Sequence, residues 1–159
     1  MKEQIMLKDY KTLILLIGQE EYGIHINHVI SIERMQHIDH YSNMPPHVVG
    51  VITIRDVLTP VVDLRSALTG ELLQLTDAIR IIIVRVDEKA IGLVVDAATD
   101  VLDLEPNTIQ HQNLLETKNV SYLKGISEVD HRLIILLDIE KLLVEATNFP
   151  EWRDLEILL

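Results

Sequence analysis

The sequence contains no cysteine among its 159 residues. Disulfide bonds, thiolate nucleophiles and cysteine-ligated metal sites are therefore excluded. Aromatic residues make up only 4% of the chain, so a hydrophobic core must be built mainly from aliphatic side chains. Glycine is also scarce, and the chain lacks a glycine-rich phosphate loop, a G-x-S-x-G motif and an H-E-x-x-H motif. We therefore expect a protein that is not an enzyme and that needs no cofactor or metal.

Positive charge is in the minority, because 14 Lys and Arg residues stand against 25 Asp and Glu residues, which gives a formal net charge of −11 at pH 7. This balance disfavours nucleic acid and anionic membranes as partners. No apolar run approaches the ~20 residues that a membrane-spanning helix needs. The short apolar run at residues 12–17 predicts a strand rather than a signal peptide. We expect a cytoplasmic protein without direct membrane insertion.

The most informative segment is VVGVITIRDVLTPVVDL, residues 48–64, in which Arg55-Asp56 separates two short apolar runs. Runs of this length that are rich in Val, Ile and Thr predict buried strands, here joined as a hairpin. The strand period of two places Thr53 and Arg55 on the same face. Asp63 is expected to cap a short helix that ends at Gly70.

The chain repeats this segment 75 residues later. Gly50, Leu58 and Asp63 have ungapped counterparts in Gly125, Leu133 and Asp138. A weaker similarity links residues 22–26 with residues 91–95. Two hairpins rich in Val and Leu can align by chance, but the shared spacing of glycine and aspartate favours the duplication of a small β unit. The sequence therefore predicts two similar all-β lobes.

Four segments follow one another with a spacing that is typical of one known family. They are YGIHINHVISI from Tyr22, VVGVITIRDVLTPVVDLR from Val48, AIGLVVDAATDVLDL from Ala90 and YLKGISEVDHRLIILLDIEKLL from Tyr122. Together they resemble the CheW-like family of chemotaxis coupling proteins over about residues 10–145. The resemblance implies two similar five-stranded SH3-like β-barrels around a shared core, with short helices after each hairpin and a C-terminal helix.

On this basis we expect a single CheW-like domain at residues 10–146. Its lobes would span roughly residues 19–76 and 78–137, the N-terminal strand being added to them. Residues 147–159 would form an amphipathic tail, because Trp152, Leu155 and Leu159 have helical spacing. Docking of this tail onto its own barrel is the favoured interpretation, and a partner-binding helix is the alternative.

The resemblance also implies a function and partners. The protein would be a non-catalytic adaptor that couples transmembrane chemoreceptors to a CheA-type histidine kinase. One barrel would bind the regulatory domain of the kinase, and another surface, near the groove between the barrels, would bind the cytoplasmic tip of the receptor. We expect a monomer when alone and a component of a larger signalling array. The alternatives are a paralogue or CheV-related scaffold in another kinase pathway, and a small-molecule-binding β module.

The candidate partner-binding residues lie in two segments. They are Arg55, Val29, Ser31, Ile32, Asp56 and Thr53. From chemistry alone, a guanidinium at the end of a rigid strand is either a binding hot spot or one half of a weak surface ion pair with its acidic neighbour. By the resemblance, Arg55 matches the arginine of the family and Val29 matches an apolar receptor-facing position. Asp56 replaces the usual glycine, and Ser31 replaces a frequent glutamate. Either the cognate receptor differs, or the protein is a paralogue that serves another kinase pathway.

Two further groups of polar residues have the residue types of a functional site. The histidine pairs His25/His28 and His37/His40 have metal-like spacing. On a strand, however, the members of such a pair point to opposite faces, and the second pair falls in a loop. We therefore interpret the histidines as surface residues. The acidic group at Asp96, Asp100, Asp103 and Glu105 is interpreted as solvated strand ends.

Overall fold

The computed structural model describes residues 11–72, 74–104, 109–111 and 121–152. Strands dominate these residues, and a 3-10 turn, Ile26–His28, joins the second strand to the third. The strands are β1 (Lys11–Ile17), β2 (Glu20–His25), β3 (Val29–Arg34), β4 (Val48–Ile54), β5 (Val57–Asp63), β6 (Arg80–Val86), β7 (Lys89–Val95), β8 (Ala97–Asp103), β9 (Ile109–His111), β10 (Leu123–Val129) and β11 (Arg132–Leu137). The helices are α1 (Leu64–Thr69), α2 (Ile139–Thr147) and α3 (Phe149–Trp152).

The strands form two sheets, as expected for two SH3-like barrels. The five-stranded sheet has the order β3-β6-β7-β5-β4, and the six-stranded sheet has the order β8-β1-β2-β11-β10-β9. The sixth strand, β9, is only three residues long and pairs with β10 at the edge of its sheet. The all-β prediction with a short helix after each hairpin is confirmed, since α1 follows β5 and α2 follows β11.

Each sheet combines strands from both halves of the chain. The hairpin β1–β2 belongs to the same sheet as β8–β11, whereas β6–β7 belongs to the same sheet as β3–β5. Strands from both halves meet in one sheet because the chain crosses from one sheet to the other twice, after β2 and again after β7. Parallel pairing of β5 with β7 and of β11 with β2 then joins the two parts of each sheet. The sheets therefore differ from the expected lobes of residues 19–76 and 78–137, which follow the chain consecutively.

The predicted duplication is visible in the pairing of the strands. Antiparallel β4–β5 and β10–β11 carry the same register shift, between Val48 and Gly50 in one copy and between Leu123 and Gly125 in the other. The two following helices start in the same way, since the side chains of Asp63 and Asp138 accept hydrogen bonds from backbone N–H groups three residues later. The predicted N-cap at Asp63 is confirmed, and its counterpart Asp138 caps the second helix in the same way.

The sheets share one large core and each has a smaller one. The shared cluster includes Leu15 and Ile24 from the six-stranded sheet and Ile82 and Leu93 from the five-stranded sheet. Smaller clusters occupy the other face of each sheet, around Ile81 in one and around Ile14, Leu104, Ile134 and Leu136 in the other. Because many strands are buried on both faces, their sequences read as continuous apolar runs.

The start of the C-terminal tail belongs to the core. Phe149 and Trp152 are buried, and their rings meet edge to face with centroids 5.0 Å apart. The indole Nε1 of Trp152 donates a hydrogen bond to the backbone oxygen of Thr147 at 2.8 Å. The expected docking of the tail onto its own domain is therefore confirmed for Trp152. Leu155 and Leu159 lie outside the described residues. Pro150 lies in the first turn of α3, where proline is tolerated, so it does not separate the tail from the domain.

No helix in the described ranges is long and apolar enough to cross a membrane.

Candidate partner-binding surface

Arg55 and Asp56 form the two-residue turn between β4 and β5. Their φ angles are 49° and 67°, so both residues adopt the left-handed conformation. Two left-handed residues in a row are typical of the type I′ turn, whose twist matches that of the flanking strands. The sequence places Arg55 at the end of a strand, whereas the structure places it in the turn itself. Its side chain is therefore displayed at the tip of the hairpin.

The tip of this hairpin exposes apolar side chains beside the charged turn. Thr53, Arg55 and Asp56 are exposed as expected, but Val57 and Leu58 are exposed as well, by 55% and 44%. Sequence reasoning missed Val57 and Leu58, because they begin an apolar run that predicts a buried strand. The physical reason is that β5 pairs with β7 only at residues 61–63, so that the first half of β5 extends beyond its parallel neighbour.

The second group of candidate residues lies on β3. Val29 is half-buried and packs against the shared core, Ser31 is half-buried, and Ile32 is 47% exposed. The pairing of β3 with β6 shifts register between Val29 and Ser31, which makes Ile30 an extra residue. Ile30 is 41% exposed and was not predicted as a site residue. The free apolar surface of β3 is thus provided by Ile30 and Ile32 rather than by Val29.

The structure brings together some of the six candidate residues and separates others. Thr53, Arg55 and Asp56 share one hairpin, and Val29, Ser31 and Ile32 share one strand. The strands β3 and β4 are the two outer strands of the same sheet, with β6, β7 and β5 between them. All six residues therefore belong to the five-stranded sheet, in two sets that no strand pairing joins directly.

Arg55 differs from two other arginines of the chain in its contacts. Arg65 forms ion pairs with Asp96 and Glu71, and its side chain is 16% exposed. Neither Arg55 nor Asp56 makes an ion pair with any residue that the structure describes, so the weak surface pair between these neighbours is not observed. A charged guanidinium without an intramolecular carboxylate is available to bind a partner.

Arg132 shows the contrasting situation at the turn of the second hairpin. It contacts Glu21 on β2 at 2.6 Å and Asp100 on β8 at 3.2 Å. The hydrogen bond to Glu21, followed by that to Asp100, raises the pKa of Arg132. In return, the hydrogen bond from Arg132 holds the pKa of Asp100 below its usual value. Arg132 therefore links strands within its own sheet, and its charge is compensated.

The acidic group is more than a set of solvated strand ends. Asp96 and Asp100 are engaged with Arg65 and Arg132, whereas Asp103 is exposed. Glu105 lies outside the described residues. Sequence reasoning missed these ion pairs because the partners are at least 31 residues apart in the chain.

The histidine pair His25/His28 does not point to opposite faces. The 3-10 turn between the two residues brings the rings together, edge to face, with centroids 6.2 Å apart. The Nδ1 atom of His25 accepts a hydrogen bond from the backbone N–H of Asn27, which caps this turn. Within the residues that the structure describes, no group of three or more His, Asp and Glu side chains is arranged to hold a metal ion.

These features define a duplicated β module whose exposed surface combines a free arginine with apolar side chains. Comparison with known proteins agrees with this class. A family model described as CheW-like domain matches residues 11–147. The chain belongs to the CheW-like domain family.

Individual relatives cover most of the chain. It is 33% identical over 132 residues to the chemotaxis protein CheW of Klebsiella aerogenes, covering 82% of this chain and 80% of that protein. It is 31% identical over 140 residues to the chemotaxis protein CheW of Bacillus subtilis, covering 87% and 89%. The crystal structure of the scaffolding protein TtCheW from Thermoanaerobacter tengcongensis aligns with a TM-score of 0.76 at 26% identity, covering 84% of this chain and 87% of that one.

Proposed function

We propose that this chain is a non-catalytic adaptor of chemotaxis signalling, which couples chemoreceptors to a CheA-type histidine kinase. The observation that carries the proposal is the family match over residues 11–147, together with relatives that are named chemotaxis protein CheW. An adaptor needs no reaction chemistry. It acts by holding two partners in one assembly, so that a shift in the receptor biases the kinase between states.

The partners follow from this role. One is the regulatory domain of the kinase, and the other is the cytoplasmic tip of the receptor, so the adaptor would work in the cytoplasm. The receptor surface would include Arg55, Asp56 and Thr53 on the hairpin and Val29, Ser31 and Ile32 on β3. Exposed Val57 and Leu58 beside Arg55 support this assignment, since hot spots combine a charged anchor with apolar surroundings that exclude water.

The experiment is a binding measurement in two stages with purified components. First, the chain is titrated with the isolated regulatory domain of the CheA-type kinase from its own organism, and saturable binding is expected. A receptor signalling fragment is then added, and a ternary complex is expected. If neither partner binds at micromolar concentrations, the proposal is wrong, and a paralogue of another kinase pathway becomes the better interpretation.

A further inference from the structure

Asp96 lies at one of the two crossovers between the sheets. It is the single residue between β7, which ends at Val95 in the five-stranded sheet, and β8, which starts at Ala97 in the six-stranded sheet. Its backbone N–H donates to the carbonyl oxygen of Leu16, the penultimate residue of β1, at 3.1 Å. The backbone of Asp96 is thereby already attached to the six-stranded sheet.

One oxygen of the Asp96 side chain contacts two elements that are connected to strands of different sheets. Its Oδ2 accepts a hydrogen bond from the backbone N–H of Gly18, in the turn between β1 and β2, at 2.6 Å. The same oxygen accepts a hydrogen bond from Nη1 of Arg65, in the helix that follows β5, at 2.7 Å. The side chains of Arg65 and Asp96 are only 16% and 18% exposed. Charge-assisted hydrogen bonds that are shielded from water are stronger than neutral ones.

The position of Arg65 is fixed by a second carboxylate. Its Nη2 donates to Oε2 of Glu71 at 3.1 Å. The hydrogen bond to Glu71 and the charge of Asp96 raise the pKa of Arg65, so the guanidinium keeps its charge. The contact between Arg65 and Asp96 consists of the Nη1–Oδ2 hydrogen bond, because Arg65 Nε and Asp96 Oδ1 are buried without a partner among the described atoms. A single substitution is therefore sufficient to break the link.

The second copy of the repeat does not carry this pair. Counting from the equivalent glycines Gly92 and Gly23, the position of Asp96 is occupied by Asn27 in the other copy. Counting from the helix caps Asp63 and Asp138, the position of Arg65 is occupied by Glu140. The charges needed for the ion pair are thus present at only one of the two crossovers. The fold itself does not require such a pair at a crossover.

We propose that Asp96 is a positioning residue that couples the two sheets, because its carboxylate holds the β1–β2 turn of the six-stranded sheet to Arg65 in α1, the helix that follows β5 of the five-stranded sheet. The shared core keeps the sheets in contact, but apolar packing is not directional. The ion pair adds a directional contact at the edge of this core. Its use in signalling depends on the proposed adaptor function, since an adaptor with two partners needs a defined geometry between its surfaces.

The proposal is tested on the free 159-residue chain by amide hydrogen exchange measured with NMR. Arg65→Met removes the guanidinium from the helix that follows β5, and the reporter is the Gly18 amide in the turn between β1 and β2. Without Arg65 the carboxylate of Asp96 is no longer fixed, so we expect the Gly18 amide to exchange about tenfold faster, as for the loss of one charge-assisted hydrogen bond. In an Asp96→Asn background, the same substitution is expected to have no further effect.

Two controls keep the test decisive. Arg85→Met removes an exposed arginine from β6 and is expected to leave the exchange rate of the Gly18 amide unchanged. Arg65→Lys keeps a positive charge and is expected to restore part of the protection. The proposal is contradicted if the Gly18 amide exchanges in Arg65→Met at the same rate as in the wild type. It is also contradicted if this amide exchanges equally fast in Arg65→Lys and Arg65→Met. Because no partner is present, either result is independent of whether the adaptor function holds.

Discussion

Gly23 and Gly92 occupy the same position in the two sheets, and each lies beside the parallel neighbour through which the two parts of its sheet are joined. Gly23 on β2 is in register with Leu136 on β11, and Gly92 on β7 is in register with Val61 on β5. The absence of a side chain at these positions allows the neighbouring side chains to fill the space. The two glycines therefore allow close packing where the two parts of each sheet are joined.

We predict that an alanine at Gly23 destabilises the protein more than an alanine at Gly92. A Cβ atom at Gly23 would lie 2.6 Å from Cγ2 of Thr12, whereas one at Gly92 would lie 2.9 Å from Cγ2 of Ile81. Overpacking of this kind costs about 1–3 kcal/mol of the free energy of unfolding. Urea denaturation of Gly23→Ala and Gly92→Ala checks the order, and equal midpoints for both variants and the wild type would show that the two sites can relax.

A second prediction concerns the hairpin turn at Asp87 and Glu88, whose φ angles are 50° and 64°. Glutamate is strained in the left-handed conformation, and Asp-Gly is a preferred pair for this turn type. Glu88→Gly is therefore expected to raise the free energy of unfolding by about 0.5–1 kcal/mol. Glu88→Ala, which retains the strained conformation, is the matched control and is expected to bring no gain. A lower melting temperature in Glu88→Gly than in Glu88→Ala would contradict this reasoning.

The pairing of Asp100 with Arg132 predicts a pH-dependent contribution to stability. Because the folded pKa of Asp100 lies below its unfolded value of ~3.9, its contribution is present above that value. It is lost as the pH falls through the folded pKa. The difference in unfolding free energy between wild type and Asp100→Asn should therefore be present at pH 7 and disappear in strong acid.

The control for this experiment is Asp103→Asn, at an exposed position of the same strand. At pH 7, the difference in unfolding free energy between Asp103→Asn and the wild type is expected to be smaller than the difference between Asp100→Asn and the wild type. If Asp100→Asn and Asp103→Asn are equally stable at pH 7, then the ion pair with Arg132 contributes nothing measurable, as is common for exposed pairs.

Trp152 provides a test of the docked tail, because it is the only tryptophan of the chain. Trp152→Phe keeps an aromatic ring but removes the hydrogen bond to the backbone of Thr147, with an expected loss of about 1 kcal/mol. Trp152→Ala also empties the space beside Phe149, with an expected loss of about 3–5 kcal/mol. Equal stability of Trp152→Ala and the wild type in thermal unfolding would show that the tail is not part of the folded core.

Much of the fold could be predicted from the sequence because its signals are local. The hairpin around Arg55-Asp56, the N-caps at Asp63 and Asp138 and the duplicated glycines all depend on residues close together in the chain. The exchange of hairpins between the sheets could not be predicted in this way. It depends on the parallel pairing of β5 with β7 and of β2 with β11, and apolar patterns do not specify which strands become neighbours.

In the candidate site, too, features set by neighbouring residues could be predicted from the sequence, whereas features set by distant residues could not. Exposure of Arg55 follows from its position at the break between two apolar runs, which the sequence indicates directly. Exposure of Val57 and Leu58 depends on where β7 stops pairing with β5, so an apolar run alone predicted burial. The free state of Arg55 and the engaged states of Arg65 and Arg132 depend on carboxylates elsewhere in the chain. Only the structure distinguishes these three arginines.

The most direct test of the adaptor proposal compares Arg55→Ala with Arg85→Ala in the capture of a receptor signalling fragment by the complex of this chain with the kinase regulatory domain. Both arginines are exposed, and neither has an ion pair within the described residues. We predict at least about tenfold weaker capture for Arg55→Ala, as for a hot-spot residue, with an unchanged melting temperature and with capture by Arg85→Ala close to that of the wild type. Equal capture by both variants and the wild type would contradict the assignment of Arg55 to the receptor-binding surface.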